Sequence, residues 1–388
     1  MIDRDITPCL LKQAKQFPVV TITGPRQSGK TTLAKMTFPT YKYVSLENLD
    51  NRSFAESDPR GFLKFYSNNV IIDEIQRVPT LFSYIQEIVD ENNQEGEFVL
   101  TGSQQFGLIE KITQSLAGRT ALLRLLPLSI NEISASDKSE VERENLMFKG
   151  FYPRIYDKKI DSYDFLSFYI NTYIEKDVRQ LINVKDISQF IKFISLCAGR
   201  SGQILNMNSL GSDCGIATNT VKSWLSILEA SYIIFLLKPY HTNINKRLIK
   251  APKLYFYDVG LMSHLIGIKQ KDQIFTHPLR GEIFETMIVS DIFKSLYNLS
   301  LRIDLYYYRD SNQNEVDLIV EDGLRIHAIE IKSAITFSSK FLKTLKYIKN
   351  ILPKKIEGSV IYGGDDTYER EGFKINSFRD VVRAVTQR

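Results

Sequence analysis

No stretch of this sequence reaches the roughly 18 consecutive apolar residues that a membrane-crossing helix needs. The charged start MIDRDITPCLLKQAKQF also lacks the apolar centre of a secretion signal. Neither a membrane partner nor export is expected, and the chain is read as cytoplasmic. Only three cysteines occur, Cys9, Cys197 and Cys214, far apart and without the spacing of a disulfide framework or a zinc site. They fit a reducing compartment and are read as bystanders. Composition is extreme in neither direction: 43% hydrophobic and 24% charged residues exclude extensive disorder. At 388 residues the chain exceeds one ordinary core, so two or three domains are expected.

The net charge of +5 is unevenly spread. Between Lys185 and Lys253 nine Lys and Arg residues face three acids, which puts the basic excess in the middle of the chain.

The segment FPVVTITGPRQSGKTTLAKMTF passes from a β-rich run through a glycine-bracketed loop into a helix-favouring stretch. Gly24, Pro25, Arg26, Gln27, Ser28, Gly29, Lys30, Thr31 and Thr32 match the spacing of a phosphate-binding loop in full. The glycines let backbone N–H groups curl round a polyphosphate at a helix N-terminus. Lys30 would reach the terminal phosphates of ATP, and the Thr31 hydroxyl would ligate Mg²⁺. In NVIIDEIQ an apolar strand ends in Asp73, a second Mg²⁺ holder, and Glu74, which would orient or deprotonate the attacking water. EFVLTGSQQF supplies another strand with a polar tip, where Ser103 is the chosen sensor of the γ-phosphate. Arg119, in SLAGRT, is a candidate charge sensor or arginine finger. Alternation of these strands with helical patterns argues for a parallel sheet covered on both faces.

Taken together, GPRQSGKTT, VIIDEIQ, LTGSQ, LAGRT with LRLLPLS, GFYPRIY and FYINTYIEKDVRQL resemble the bacterial and archaeal AAA-type ATPases that carry a C-terminal domain of unknown function. The resemblance covers most of the chain. It implies an α/β protein with a P-loop NTPase parallel-sheet domain at 1–157, a winged-helix domain at 158–265 and a restriction-endonuclease-like α/β domain at 266–388. It implies no settled biological role.

The middle of the chain has a pattern of its own. SEVEREN, at 139–145, is apolar-poor and is read as a lid or linker. Phe165, Phe168, Tyr169, Tyr173 and Ile174 recur at helical spacing as a core stripe. NMNSLGSDCGIATNTVKSWLSILEAS gives two helices about a turn at Gly215, followed by a hairpin with a basic tip at Lys246, Arg247 and Lys250. Helix, turn, helix and basic hairpin is the winged-helix pattern, with Thr218, Asn219, Thr220 and Lys222 placed towards DNA. A packing role against the nucleotide domain is the competing reading.

In RIHAIEIK the period of a strand puts Glu330 and Lys332 on one face, and EVDLIV places Asp317 on the strand before it. A helical segment upstream carries Glu285. Helix acid, strand Asp and Glu-x-Lys make the constellation of the PD-(D/E)xK nucleases. Asp317, Glu330 and the Ile331 carbonyl would hold Mg²⁺, Glu285 would place a water, and Lys332 would orient or deprotonate it. Val316 stands where that family name has proline, which leaves cleavage open. The expected function is Mg²⁺-dependent ATP hydrolysis by a protein that acts on or is regulated by DNA. The alternative is a slow nucleotide-gated switch with an inert nuclease-like domain. Ring, dimer and monomer all remain open, with Arg154 and Arg179 as candidates to serve a neighbouring subunit.

Overall fold

A computed structural model describes residues 2–67, 69–92, 94–103, 114–174, 187–241, 250–301, 303–323, 325–351 and 356–386. Five strands, β1 (Val19–Thr23), β2 (Lys42–Ser45), β3 (Val70–Asp73), β4 (Phe98–Gly102) and β5 (Thr120–Arg124), form the first sheet. All its pairings are parallel, in the order β2-β3-β4-β1-β5. Every residue of β1, β3 and β4 is buried, as a central parallel strand with both faces covered requires. One face packs on a core that includes Val70, Ile72, Phe82 and Leu100, the other on Val20, Ile22, Leu33 and Val99. The carboxyl ends of these parallel strands lie together at one end of the sheet, the end where α/β proteins place ligands.

The second sheet has eight strands, adding β6 (Ile234–Pro239), β7 (Lys253–Phe256), β8 (Asp304–Arg309), β9 (Glu315–Asp322), β10 (Arg325–Lys332), β11 (Ile356–Tyr362), β12 (Tyr368–Arg370) and β13 (Phe373–Ser377). Their order is β12-β13-β11-β10-β9-β8-β6-β7. β8, β9 and β10 form an antiparallel meander, and β11 joins β10 in parallel after the helix Lys343–Ile351. That helix buries Leu345 and Ile348 on one face of the sheet, whereas the helix Arg280–Asn298 is buried along most of its length in the larger core.

In the middle, helices Ile187–Ala198, Met207–Cys214 and Thr218–Ala230 precede the antiparallel pair β6 and β7. Gly215 closes the second helix at φ 78°, the left-handed conformation that glycine adopts without a Cβ penalty. The sole tryptophan, Trp224, lies edge-on between Phe190 and Phe193, at ring distances of 5.1 and 5.2 Å. Lys246 and Arg247, the expected basic tip, lie outside the described residues, as does Arg179.

Three expectations need correcting. The boundaries at 157/158 and 265/266 do not separate independent cores, because one hydrophobic core runs from Leu126 to Ala384 and β6 pairs directly with β8. SEVEREN is no linker: Arg143 and Glu144 are a buried ion pair, and Arg143 also donates to the Ser333 carbonyl (2.9 Å) and the Gly363 carbonyl (3.1 Å) of the second sheet. Phe168 leaves the aromatic stripe and is 65% exposed, while Phe165 and Tyr169 are buried; the side chains of Tyr173 and Ile174 lie outside the described residues. Among the described residues no helix is long and apolar enough to cross a membrane.

Candidate functional site

The loop between β1 and the helix Lys30–Thr37 takes the backbone its glycines permit: φ is 151° at Gly24 and 90° at Gly29. A Cβ at Gly24 would sit 2.0 Å from the Leu125 carbonyl oxygen, so only glycine fits there. The Lys30 ammonium is folded onto its own loop, donating to the Gly24 carbonyl (3.1 Å) and the Pro25 carbonyl (2.8 Å). Thr31 Oγ1 donates to Asp73 Oδ1 at 2.9 Å, which brings the hydroxyl and carboxylate expected at Mg²⁺ together from positions 42 residues apart. Two hard oxygen donors at the mouth of a phosphate loop fit a magnesium ion, which keeps most of its waters and needs few protein ligands. The cavity beside them, ≈ 710 Å³, is lined among others by Arg26, Lys30, Thr31, Asp73, Glu74 and Arg154, and its size suits a nucleotide.

Asp73 is held in place by groups that spacing rules do not single out. Thr101, at the end of β4, donates to Oδ1, and Tyr43, on β2, donates to Oδ2 at 3.0 Å. Burial, reinforced by Asp73, pushes the Tyr43 phenol up to about 12. Glu74 follows in a left-handed conformation, φ 57°, uncommon for a residue with a side chain and typical of functional sites. Its Oε2 accepts from Ser103 Oγ at 3.1 Å and from Gln76 Nε2. Ser103 therefore reaches the acid beside the loop. Arg119 does not reach the loop. It precedes β5 at the amino end of the sheet, roughly 16 Å of extended strand from the loop end, and its guanidinium forms an ion pair with Asp90 (Nη2 to Oδ2, 2.8 Å). The catalytic role expected of it within its own subunit is withdrawn.

Two other arginines lie near the loop. Arg154, on the short helix Pro153–Asp157, lines the cavity of its own chain. Arg4 is buried behind the loop: Nη1 donates to the Ser28 carbonyl (2.8 Å), Nη2 to the Leu126 carbonyl (2.8 Å) and Nε to Glu132 (3.0 Å). Glu132 in turn accepts from Asn298 (3.4 Å) at the end of the helix 280–298. On the other side of the loop, Tyr232 donates to Thr23 Oγ1 (3.0 Å), and Arg124 stacks over both Tyr232 and Tyr297. Both flanks of the loop are thus tied to the last turn of one helix, about 20 Å from its Glu285.

Glu285 belongs to a second constellation. β9 and β10 pair antiparallel in the register Leu318 with Ile329, which sets Asp317 beside Glu330 and Lys332 as the strand periods require. Asp317 Oδ2 accepts from the Ile331 N–H at 2.7 Å, and Lys332 lies 3.4 Å from Asp317 and 2.6 Å from Glu330 Oε1. Glu285 Oε1 accepts from Tyr255 (2.5 Å) and from Lys253 (3.1 Å). Burial first, then the Asp317 charge, pushes the Glu285 carboxyl up to about 7 and the Glu330 carboxyl up to about 8. The Lys332 ammonium is held above its ordinary range by the surrounding acids, against the burial that opposes it. Among the described residues no three His, Cys, Asp or Glu side chains converge as a metal cage. What fits a divalent ion here is a pair of carboxylates, Asp317 and Glu330, with Glu330 Oε2 buried and without a hydrogen-bond partner. Lys253, one of the basic residues of the middle segment, is buried in this cluster and out of reach of any phosphate.

On the helix Thr218–Ala230, Val221, Trp224, Leu225 and Leu228 face the core, while Asn219 and Lys222 are exposed. Thr218 is engaged with Asn208 (2.9 Å), and Thr220 is half-buried. Lys250 is exposed beside β7.

Residues 16–134 match the family described as AAA domain, residues 140–272 a domain of unknown function (DUF8612) and residues 280–380 another (DUF4143). The chain is 30% identical over 338 residues to the uncharacterized protein Rv2008c of Mycobacterium tuberculosis and to the same degree to Mb2031c of Mycobacterium bovis, covering 86% of this chain and 74% of each relative. It is 21% identical over 410 residues to the uncharacterized protein MJ1637 of Methanocaldococcus jannaschii, covering 89% of this chain and 83% of that one. Among solved structures, the Walker-type ATPase PABY2304 of Pyrococcus abyssi is 13% identical and aligns over 68% of this chain and 96% of its own, with a TM-score of 0.46. This protein belongs to the family of Rv2008c and Mb2031c, and its N-terminal third is an AAA domain.

Proposed function

We propose that this protein binds and hydrolyses ATP with Mg²⁺ and uses the cycle to control DNA-directed action in its C-terminal half. The observation that carries the ATPase reading is the approach of Thr31 and Asp73 to 2.9 Å beside Lys30, at the mouth of a cavity of nucleotide size. Backbone N–H groups from Gly24 to Thr32 would hold the phosphates, with Lys30 exchanging its two carbonyl partners for phosphate oxygens. Thr31 and Asp73 would hold Mg²⁺, which neutralises phosphate charge when bound. Glu74, released from Gln76 and Ser103, would take the proton of the attacking water. Arg154, which lines the same cavity, would add a positive charge.

Action on DNA is the second part of the proposal. It is supported by three helices and a hairpin in winged-helix order, and by the exposed Asn219 and Lys222 near the start of the helix 218–230. A nuclease-like reading is supported by the order helix, three-strand meander, helix and parallel strand, with Glu285, Asp317, Glu330 and Lys332 brought together. The switch reading, in which this cluster is inert, draws on the direct ion pairing of Lys332 with Glu330. Phosphate release by wild type and Lys30→Ala, with and without duplex DNA, tests the proposal. Turnover lost in the variant and altered by DNA is expected; equal turnover in both chains would remove the ATPase reading. DNA left uncut with Mg²⁺ or Mn²⁺ while ATP is consumed would favour the switch.

A further inference from the structure

The carboxylate cluster contains a second lysine that the nuclease-like constellation does not call for. Lys253 opens β7, the second strand of the hairpin, and is 2% exposed. Its ammonium spans two carboxylates, Glu315 Oε1 at 2.6 Å and Glu285 Oε1 at 3.1 Å. Lys332 spans the other two, Asp317 and Glu330. Arg309, at the rim, adds a contact of 3.4 Å to Glu315.

Each ammonium is thus shared by two carboxylates, with the Arg309 guanidinium at the rim, and a buried charge persists only when it is compensated. The two pairs differ in how well they are closed. Glu285 is bound by Lys253 and Tyr255. Glu330, 6% exposed, keeps Oε2 buried and unpartnered beside Asp317. One half of the cluster is satisfied by protein, and the other half holds a carboxyl oxygen with no hydrogen-bond partner.

We propose that the Lys253 ammonium permanently occupies the position a second metal would take, so that the cluster accepts a single divalent cation, on Asp317 and Glu330. This inference rests on the nuclease-like reading of the cluster. It goes further in fixing the number of ions and in giving the hairpin of the middle segment a part in the site. Lys253 acts as a positioning residue: it fixes Glu285 and Glu315 without metal, and any movement of the hairpin would reach the cluster through it.

Mn²⁺ alone, without nucleotide, is the probe. Bound ions are counted by electron paramagnetic resonance as the excess over Asp317→Asn/Glu330→Gln, which cancels any metal held at Thr31 and Asp73. Wild type is expected to bind one extra ion, Lys253→Arg one, and Lys253→Met two. At saturation the wild-type spectrum should be that of an isolated Mn²⁺, a reading that does not depend on any variant folding. Two ions about 4 Å apart would instead couple magnetically. A coupled spectrum in wild type, or one ion in a folded Lys253→Met chain, would overturn the inference while leaving a metal site in place. No excess ion in wild type would overturn the metal reading of the cluster itself.

Discussion

Replacing Arg4 by methionine should damage both the fold and the nucleotide site, although Arg4 lies outside every motif. Its guanidinium and the Glu132 carboxylate are 7% and 0% exposed, and breaking a buried pair from one side costs about 3–5 kcal/mol. Glu132 keeps the N–H donors of Asp5 and Ser129, both at 2.8 Å, which places the loss near the lower end, about 3 kcal/mol. The Ser28 carbonyl also loses its charged donor. A bond of that kind contributes about 1.5 kcal/mol, so ATP affinity should fall roughly tenfold as the loop loses its backing. Urea unfolding followed by circular dichroism, with titration of a fluorescent ATP analogue on the same preparations, measures both quantities. Arg4→Met combined with Glu132→Gln should recover part of the stability, because the stranded charge is gone while the helix cap keeps an acceptor oxygen. A single variant less than about 1 kcal/mol below wild type would refute the reasoning.

Three further outcomes follow from buried and surface geometry elsewhere. Gly260→Ala would place a Cβ 2.4 Å from the Gly150 amide nitrogen, so a loss of about 1–3 kcal/mol is expected in thermal unfolding, and an unchanged melt would show that the two backbones are free to separate. Lys294 is buried 3.7 Å over the Phe151 ring among Asp291, Asp258, Glu132 and Arg4, and burial pushes its ammonium down to about 8. The unfolded chain then holds that proton more tightly, so the Lys294 contribution to stability rises with pH from about 8 towards the ordinary 10.5. Relative to Lys294→Met, wild type should gain on the order of 3 kcal/mol across that window, and a constant gap between the two chains would count against it. If the exposed Lys222 contacts DNA phosphate, Lys222→Ala should reduce the slope of log affinity against log salt by ~0.9, and an unchanged slope would place the contact elsewhere.

The parts of the molecule that could be read from sequence are those in which a short segment carries its own geometry. The phosphate loop is contiguous, so Gly24, Lys30 and Thr31 declare themselves. Asp73 is found because an apolar strand delivers it to the same sheet end. Asp317, Glu330 and Lys332 were placed by the two-residue period of strands and a hairpin turn. What escaped is long-range. Arg4 meets Ser28, Leu126 and Glu132 only after the chain has folded back on itself, and nothing local marks it. Arg119 looks like a sensor beside its glycine turn, yet the parallel register of β5 with β1 carries it to the wrong end of the sheet. Lys253 was miscounted because a charge census cannot tell a solvated lysine from one enclosed by acids. Arg143 and Glu144 misled for the same reason: a polar run reads as solvent-facing until its members are found paired in a core.

The central claim is that Glu74, poised beside Thr31 and Asp73, serves hydrolysis rather than binding. Its most direct test is to measure ATP binding and phosphate release on the same preparations of wild type and Glu74→Gln. The account predicts that the variant binds ATP as wild type does while turnover falls by about 10²-fold or more, the usual contribution of a general base. Turnover within a few-fold of wild type would contradict it.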